Sequence, residues 1–182
     1  MKITLAGSPG SGKSTLRKLL AEHYGLSTKG TGDFMRELSA KYGYSDITQF
    51  LVEYVSVHPE VDHQVDEEQR IFGKENDDFV LDAHLGFHFV PDSIRICLIC
   101  DLEEAARRIL DDSGRTTETA TNIKDSIVSS QKRRDTMHEN FMSLYQVDID
   151  DHSNFDLVLD TTSLSSDEVF ERASAFIDLQ RA

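Results

Sequence analysis

The sequence predicts an α/β fold, in which helices cover both faces of a parallel β-sheet. Short apolar runs alternate along the chain with amphipathic helical patterns, which is typical of β-α-β units. Several of these runs are continuously apolar, as strands buried on both faces of a parallel sheet are. The predicted strands cover residues 2–6, 27–30, 79–82, 94–100 and 155–159. Sheets of this kind bind ligands at the carboxyl ends of their strands.

The helices are predicted from apolar residues that recur every three or four positions. They cover residues 13–24, 33–42, 46–56, 60–75, 102–111, 120–146 and 166–180. Two of them begin with the pattern of a capping box, Asp101 with Glu104 and Ser165 with Glu168. A chain of 182 residues is long enough to bury a substantial core, so residues 1–182 are expected to form a single domain.

The segment Gly7–Ser14 (GSPGSGKS) fits the pattern G-x-x-x-x-G-K-[ST] and stands between the first strand and the first helix. Its glycines allow backbone N–H groups to surround a polyphosphate, and the N-terminus of the helix attracts the same anion. Lys13 is expected to reach the β- and γ-phosphates of ATP and Ser14 to bind Mg²⁺. The alternative is a glycine-rich surface turn, which the complete spacing disfavours. The predicted ATP-binding residues of this loop are Gly7, Ser8, Pro9, Gly10, Ser11, Gly12, Lys13, Ser14 and Thr15.

Composition restricts the expected partners. The 19 basic and 33 acidic residues give a net charge of −14, which repels nucleic acids and anionic membranes, so neither is expected to bind. A small phosphorylated substrate is still compatible with this net charge, because local cations in a cleft can overcome the field of the whole protein.

Cys97 and Cys100 stand in an apolar run and are expected to be core thiols rather than a zinc or redox pair. Without a signal peptide or an apolar run of about 18 residues, the protein is expected to be cytoplasmic.

A second motif, Thr31–Arg36 (TGDFMR), follows the second predicted strand. We expect Gly32 to permit a sharp turn, Asp33 to face the phosphates and hold a Mg²⁺-bound water, and Arg36 to bind an acceptor phosphate. A helix cap followed by a surface arginine is the alternative. The pattern T-G-D-x-x-R resembles the acceptor-side signature of nucleoside monophosphate kinases, and this likeness implies that Thr31 and Arg36 bind the acceptor.

The third predicted strand ends at Asp82, which is expected to support Mg²⁺ through water. The turn after it lacks the D-G-F-P-R pattern of adenylate kinases and resembles that of the compact, archaeal-like cytidylate kinases. Further matches to that family are the opening from Lys2, His58–Asp62 with Asp66 and Gln69, the helical segment Glu104–Ile109, and the ending Tyr145–Thr161.

The resemblance implies a P-loop kinase with strand order 2-3-1-4-5, a helical acceptor-binding insertion at about residues 33–75 and a short lid at about 111–118. It implies ATP as donor, Mg²⁺ as cofactor, CMP or dCMP as acceptor, and a monomer. Asp62 and Asp66 lie on one helix face and either contact the acceptor base or form a solvated surface. Arg107 or Arg108, with Arg108 preferred, is expected at the donor adenine.

Arg115 is expected to close over the transferring phosphoryl group, where converging cations stabilise the transition state, with Arg133 or Arg134 as a second clamp. Each of these arginines has a solvated or ion-paired surface position as its alternative. The predicted catalytic residues are Lys13, Asp33, Arg36 and Arg115, the Mg²⁺ residues are Ser14, Asp33 and Asp82, and the acceptor-binding residues are Thr31, Arg36, Asp62, His84 and Arg133.

Two positions depart from the family pattern, because His84 and Asn140 stand where we expect arginines. A histidine is only partly charged near neutral pH and makes no bidentate contact with a phosphate. The acceptor therefore stays open between CMP and alternatives such as UMP, AMP or a small metabolite, and an alcohol acceptor would need Asp33 as its base. A regulatory nucleotide-binding protein with weakened transfer activity is a further alternative.

Overall fold

The sheet has five strands, all parallel, in the order β2-β3-β1-β4-β5, which confirms the order that the sequence predicted. The computed structural model describes residues 1–58, 60–111 and 122–181. The strands are β1 (Lys2–Gly7), β2 (Ser27–Gly30), β3 (Phe79–Asp82), β4 (Ile94–Ile99) and β5 (Leu157–Asp160). The helices are α1 (Lys13–Tyr24), α2 (Thr31–Lys41), α3 (Ile47–Glu53), α4 (Glu60–Glu75), α5 (Gly86–Phe89), α6 (Leu102–Asp111), α7 (Ile123–Tyr145) and α8 (Ser166–Arg181). Short 3₁₀ helices cover Val55–Val57 and His152–Asn154.

The two faces of the sheet pack against different sets of helices. Ile3 and Leu5 of β1 and Val80 of β3 belong to a core that includes buried residues of α1 and α8. Phe79 and Leu81 belong to a second core, with buried residues of α2, α3, α4 and α5. Because successive side chains of a strand point to opposite faces, a strand between two helical layers must be apolar at consecutive positions.

The carboxyl ends of three strands lie side by side. The register pairs Leu5 of β1 with Asp82 of β3, and Gly30 of β2 with the same Asp82. The loop after β1, the turn after β2 and the end of β3 therefore meet at one edge of the sheet. This edge is where a parallel sheet binds its ligands.

The turn between β2 and α2 differs from the prediction. α2 begins at Thr31, so Gly32 lies in its first turn and does not have a positive φ, and the expected sharp turn at Gly32 is wrong. The chain changes direction at Gly30, which is extended with a φ of −141°. A Cβ atom at Gly30 would lie 2.7 Å from Nη1 of Arg17, so a larger residue at this position would displace the flexible end of that side chain.

Three further differences concern helices. The predicted helix at 46–56 divides into α3 and the 3₁₀ helix Val55–Val57, where the Ser56 hydroxyl donates to the Val52 carbonyl at 2.6 Å and competes with the regular backbone bonds. α5 was not predicted, because four residues are too short for a periodic pattern. Asp101 accepts hydrogen bonds from the N–H groups at 103 and 104, but the Glu104 carboxylate pairs with arginines instead of completing a box.

The two cysteines are free thiols. Cys97 is buried, and burial raises its pKa to about 11, so it is a core thiol as expected. Cys100 lies just after β4 and is only partly buried, and burial raises its pKa as well. Within residues 1–58, 60–111 and 122–181, no helix is both long enough and apolar enough to cross a membrane.

Candidate active site

Three glycines determine the path of the loop between β1 and α1. Gly7, Gly10 and Gly12 have φ values of +135°, +80° and +91°, a region that other residues rarely adopt. A Cβ atom at Gly7 would lie 2.1 Å from the Leu98 carbonyl oxygen, and one at Gly10 would lie 2.5 Å from the Ala105 carbonyl oxygen. Glycine is therefore required at positions 7 and 10, where the loop packs against the backbones of β4 and α6.

Donors converge at the start of α1. The Lys13 Nζ atom donates to the carbonyl oxygens of Gly7 and Ser8, at 2.6 and 2.9 Å. Gly12 is the N-cap of α1 and supplies no side-chain acceptor, so no capping side chain competes for the first N–H groups of this helix. Ser14 is exposed beside them. A lysine ammonium group, backbone N–H donors and a helix N-terminus together are what a polyphosphate needs.

A cleft of about 540 Å³ opens beside this loop, a volume within the usual range for a ligand pocket. Its walls come from α1, α2, α4, the end of β3 and α7. Predicted site residues that line it are Ser14, Thr31, Asp33, Arg36, Asp62, Asp82, His84 and Arg133. The structure therefore brings the loop after β1 and the T-G-D-x-x-R motif to one cavity.

Asp33 is already paired within the protein. Its Oδ1 atom accepts from Arg36 at 2.5 Å and its Oδ2 atom accepts from the Gly30 N–H at 2.8 Å. Arg17 Nη1 lies 3.6 Å from Oδ2, and the Arg17 Nε is buried without a partner among the described residues. Sequence reasoning missed Arg17, although its position one turn after Lys13 on α1 was a usable signal. The cleft thus has a basic end, and Arg36 is 63% exposed there.

His84 is partly buried at this basic end. Burial, followed by the positive charges of Lys13, Arg133 and Arg134, lowers the pKa of His84 to about 3. The imidazole is therefore neutral near neutral pH, and the expectation of a partly charged histidine is corrected. A neutral ring offers one donor and one acceptor to a ligand. Asn140, the other departure from the family pattern, lines the same cleft.

The two adjacent arginines of α7 have different surroundings. Arg133 lines the cleft, whereas Arg134 donates from Nη1 to the Ser8 hydroxyl at 3.3 Å. Asp150 accepts from Nε and Nη2 of Arg134, at 3.0 and 2.6 Å. Arg115, the predicted clamp, and most of the predicted lid lie outside the described residues. Of the two alternatives that the sequence left open, Arg134 is the residue in contact with the loop after β1.

A second cavity, of about 350 Å³, lies on the other side of the same loop. Thr15, Arg107 and Arg108 line it, so the helix expected near the donor adenine borders the first turn of α1. Arg108 donates to the Thr161 carbonyl oxygen at 2.8 Å and to Glu104 at 2.8 Å. These contacts hold Arg108 in place, while the Arg107 guanidinium is more exposed.

The predicted Mg²⁺ residues supply hydroxyl and carboxylate oxygens, which are the donors that Mg²⁺ prefers. Ser14 and Asp82 line the cleft, and no described side chain pairs with the Asp82 carboxylate. Both oxygens of Asp33 already accept hydrogen bonds. The donor set fits Mg²⁺ by its chemistry, with Ser14 and Asp82 less engaged than Asp33.

Residues 3–129 match the family model AAA_18, an AAA domain. The cytidylate kinase of Pyrococcus horikoshii is 33% identical over 178 residues, covering 97% of this chain and 88% of that protein. The cytidylate kinase of Archaeoglobus fulgidus is 29% identical, covering 94% of this chain and 91% of that protein. The S-adenosylmethionine-dependent nucleotide dehydratase of Lacinutrix mariniflava is 33% identical over 172 residues, but this chain spans only 34% of its length.

Solved structures with a similar fold include two shikimate kinases. The enzyme of Acinetobacter baumannii, in complex with shikimate, has a TM-score of 0.63 and 18% identity, with 98% of this chain and 93% of that chain covered. The enzyme of Bacteroides thetaiotaomicron has a TM-score of 0.65 and 13% identity, with 98% of both chains covered. At such identities the likeness shows the fold alone.

The fold, the loop after β1 and the adjoining cleft define a P-loop phosphotransferase that acts on nucleotides. The chain belongs to the cytidylate kinase-like family of nucleoside monophosphate kinases, as the identity and coverage of the archaeal relatives show.

Proposed function

We propose that this chain transfers the γ-phosphoryl group of ATP to CMP or dCMP, giving ADP and the nucleoside diphosphate. One observation supports this proposal above the others: Ser14 of the P-loop lines the same cleft as Thr31 and Arg36 of the acceptor motif. A donor triphosphate on the loop and a second phosphate at the basic end of the cleft would then be neighbours, as direct transfer requires. The likeness to cytidylate kinases supports the choice of acceptor. A cytoplasmic, monomeric enzyme is part of the same proposal.

The proposed donor side consists of the P-loop amides and Lys13, which bind the β- and γ-phosphates. Ser14, Asp33 and Asp82 would hold Mg²⁺, and the ion when bound neutralises charge on the phosphates. Arg134 is close enough to the loop to add a further positive charge near the transferred group. Arg115 keeps its predicted role as a clamp, and Arg108 its predicted place at the donor adenine.

The proposed acceptor side consists of Thr31, Arg36 and Arg133, with Arg17 behind them. The acceptor phosphate would replace the Asp33 carboxylate as the partner of Arg36, since a phosphate matches the planar guanidinium at least as well. A phosphate acceptor is already an anion, so transfer to it needs no general base. The neutral His84 can contact this phosphate through a single hydrogen bond.

An assay that couples ADP release to a visible reaction tests the proposal with CMP, dCMP, UMP, AMP and shikimate as acceptors. We expect the highest kcat/KM with CMP or dCMP and no turnover of shikimate. Faster transfer to UMP or AMP would contradict the assigned acceptor. Tight binding of ATP and CMP without any transfer would contradict the enzyme activity and favour a regulatory nucleotide-binding protein.

A further inference from the structure

The helices α4 and α7 form one part of the wall of the cleft. Apolar side chains of both helices line it, among them Val65, Phe141 and Leu144. Two polar residues of α4, Asp66 and Gln69, line the cleft within this apolar surface. An apolar wall with a few fixed polar groups is typical of a site that orients one flat ligand group.

The Gln69 side chain is 3% exposed and has one unused polar atom. Its Nε2 atom donates to the Val65 carbonyl oxygen at 3.3 Å and to Oδ1 of Asp66 at 3.3 Å. Both partners of Nε2 are acceptors, so the NH₂ group of the amide must face them, and this fixes which end of the amide is the oxygen. Its Oε1 atom is buried and has no hydrogen-bond partner in the described parts of the chain. A buried acceptor without a donor is costly, and a ligand donor would remove that cost.

Asp66 presents further acceptor oxygens beside this amide. Its Oδ2 atom accepts from the Tyr145 hydroxyl at 2.6 Å, and its Oδ1 atom accepts from Gln69. Burial raises the pKa of Asp66, while the Tyr145 hydrogen bond opposes that rise. Each carboxylate oxygen can accept a second hydrogen bond. The hydrogen-bond donors of Tyr145 and Gln69 are already used. This part of the wall therefore presents hydrogen-bond acceptors to a ligand.

We propose that Asp66 and Gln69 make the site selective for cytosine over uracil, by accepting hydrogen bonds from the exocyclic amino group of cytosine. The inference rests on the proposed function. With the acceptor phosphate at Arg36, the base extends towards α4 and α7. Cytosine has an amino donor at C4, where uracil has a carbonyl acceptor. Uracil would place an acceptor against acceptors and leave buried groups unpaired, which hydrogen-bonding sites reject strongly. Tyr145 is a positioning residue that fixes the Asp66 carboxylate.

The substitution Asp66→Asn tests this selection, because it replaces one acceptor oxygen with an amide donor that suits uracil. We expect the ratio of kcat/KM for CMP to that for UMP to fall by about tenfold or more. Tyr145→Phe should lower the same ratio by less, since it leaves both acceptors present. Glu67→Gln is the matched control, because Glu67 is an exposed acid of α4 that pairs with Arg70. The ratio should not change in this control.

Thermal melting of each variant, together with dissociation constants for CMP and UMP from calorimetry, keeps the test independent of turnover. An equal change for CMP and UMP in Asp66→Asn, or no change at all, overturns the inference while leaving the kinase proposal intact. If the wild-type protein transfers phosphate to no monophosphate, the kinase proposal fails. The ratio of the two dissociation constants still decides the base selection, and a wild-type protein that binds neither nucleotide overturns both.

Discussion

Nη1 of Arg134 lies 3.3 Å from Oγ of Ser8, so α7 contacts the P-loop directly. Asp150 pairs with Nε and Nη2 on the other edge of the same guanidinium. The N–H of Asp150 donates to Oδ1 of Asp148 at 2.8 Å, and His138 lies 3.1 Å from that oxygen. His138 is partly buried in this network. The ion pair with Asp150 therefore holds the Arg134 side chain in contact with the P-loop.

This relationship predicts a defect in transfer when Asp150 loses its charge. Asp150→Asn should lower kcat about fivefold, because a half-exposed ion pair is worth about 1 kcal/mol. The KM for CMP should not change, since Asp150 does not line the acceptor cleft. Asp135→Asn, a change of the exposed acid next to Arg134, is the control. Steady-state kinetics with an unaltered kcat in Asp150→Asn, or an equal loss in the control, would contradict the prediction.

Substitution of Arg36 should weaken the binding of the acceptor nucleotide and leave the binding of ATP unchanged. Removal of its charge-assisted contact with the acceptor phosphate, worth about 1.5–3 kcal/mol, should raise the KM for CMP about 10–100-fold in Arg36→Ala. The KM for ATP should stay within about twofold, because the proposed donor site lies on the P-loop. Lys41→Ala on the same helix, 72% exposed, provides the comparison. Kinetics with both substrates varied measure this, and a matching rise in KM for ATP speaks against the assignment.

The pKa of His84 predicts how folding stability depends on pH. Burial lowers the pKa to about 3, while a histidine in the unfolded chain has a pKa near its usual value of about 6.5. Between these values the unfolded chain binds more protons, so the contribution of neutral His84 is complete above about pH 6.5 and is lost as the pH falls towards 3. The free energy of unfolding should fall by up to about 1.4 kcal/mol per pH unit from this residue.

Urea unfolding of the wild-type protein and of His84→Gln between pH 7 and pH 4 measures this contribution. The substituted protein should lose less stability over that range, since it lacks the titrating ring. Parallel losses in the two proteins would mean that His84 is not the group responsible.

The start of α8 should depend on its capping box. The Ser165 hydroxyl accepts from the Glu168 N–H at 3.3 Å, and the Glu168 carboxylate accepts from the Ser165 N–H at 2.8 Å. Ser165→Ala should lower the free energy of unfolding by about 1 kcal/mol, the usual cost of a lost N-cap. Ser163→Ala, an exposed change two residues earlier, should have little effect in the same urea titration. Equal effects of the two substitutions would disprove the role of the cap.

The parts predictable from sequence are those that depend on neighbours along the chain. The P-loop has its motif in one continuous segment, and its glycines at 7 and 10 have the positive φ values that such a loop needs. The order of the strands followed from a family likeness that extends along most of the chain. The capping box at Ser165 likewise needs only residues three apart.

The parts that sequence reasoning missed depend on packing between distant segments. Tyr145 and Asp66 are 79 residues apart, and Arg134 and Ser8 are 126 apart, so neither contact has a local pattern. The prediction of a partly charged His84 was wrong for the same reason, because the pKa of this residue depends on burial and on cations from α1 and α7.

Transfer of phosphate from ATP to CMP is measured without product release in a single turnover, with ATP labelled at the γ-phosphate, enzyme in excess, and Mg²⁺ and CMP present. We expect the label to appear in CDP, and Lys13→Ala to slow its appearance by about a hundredfold or more. Label that appears only as inorganic phosphate, or in CDP at the same rate in Lys13→Ala, would rule out the proposed kinase activity of this site.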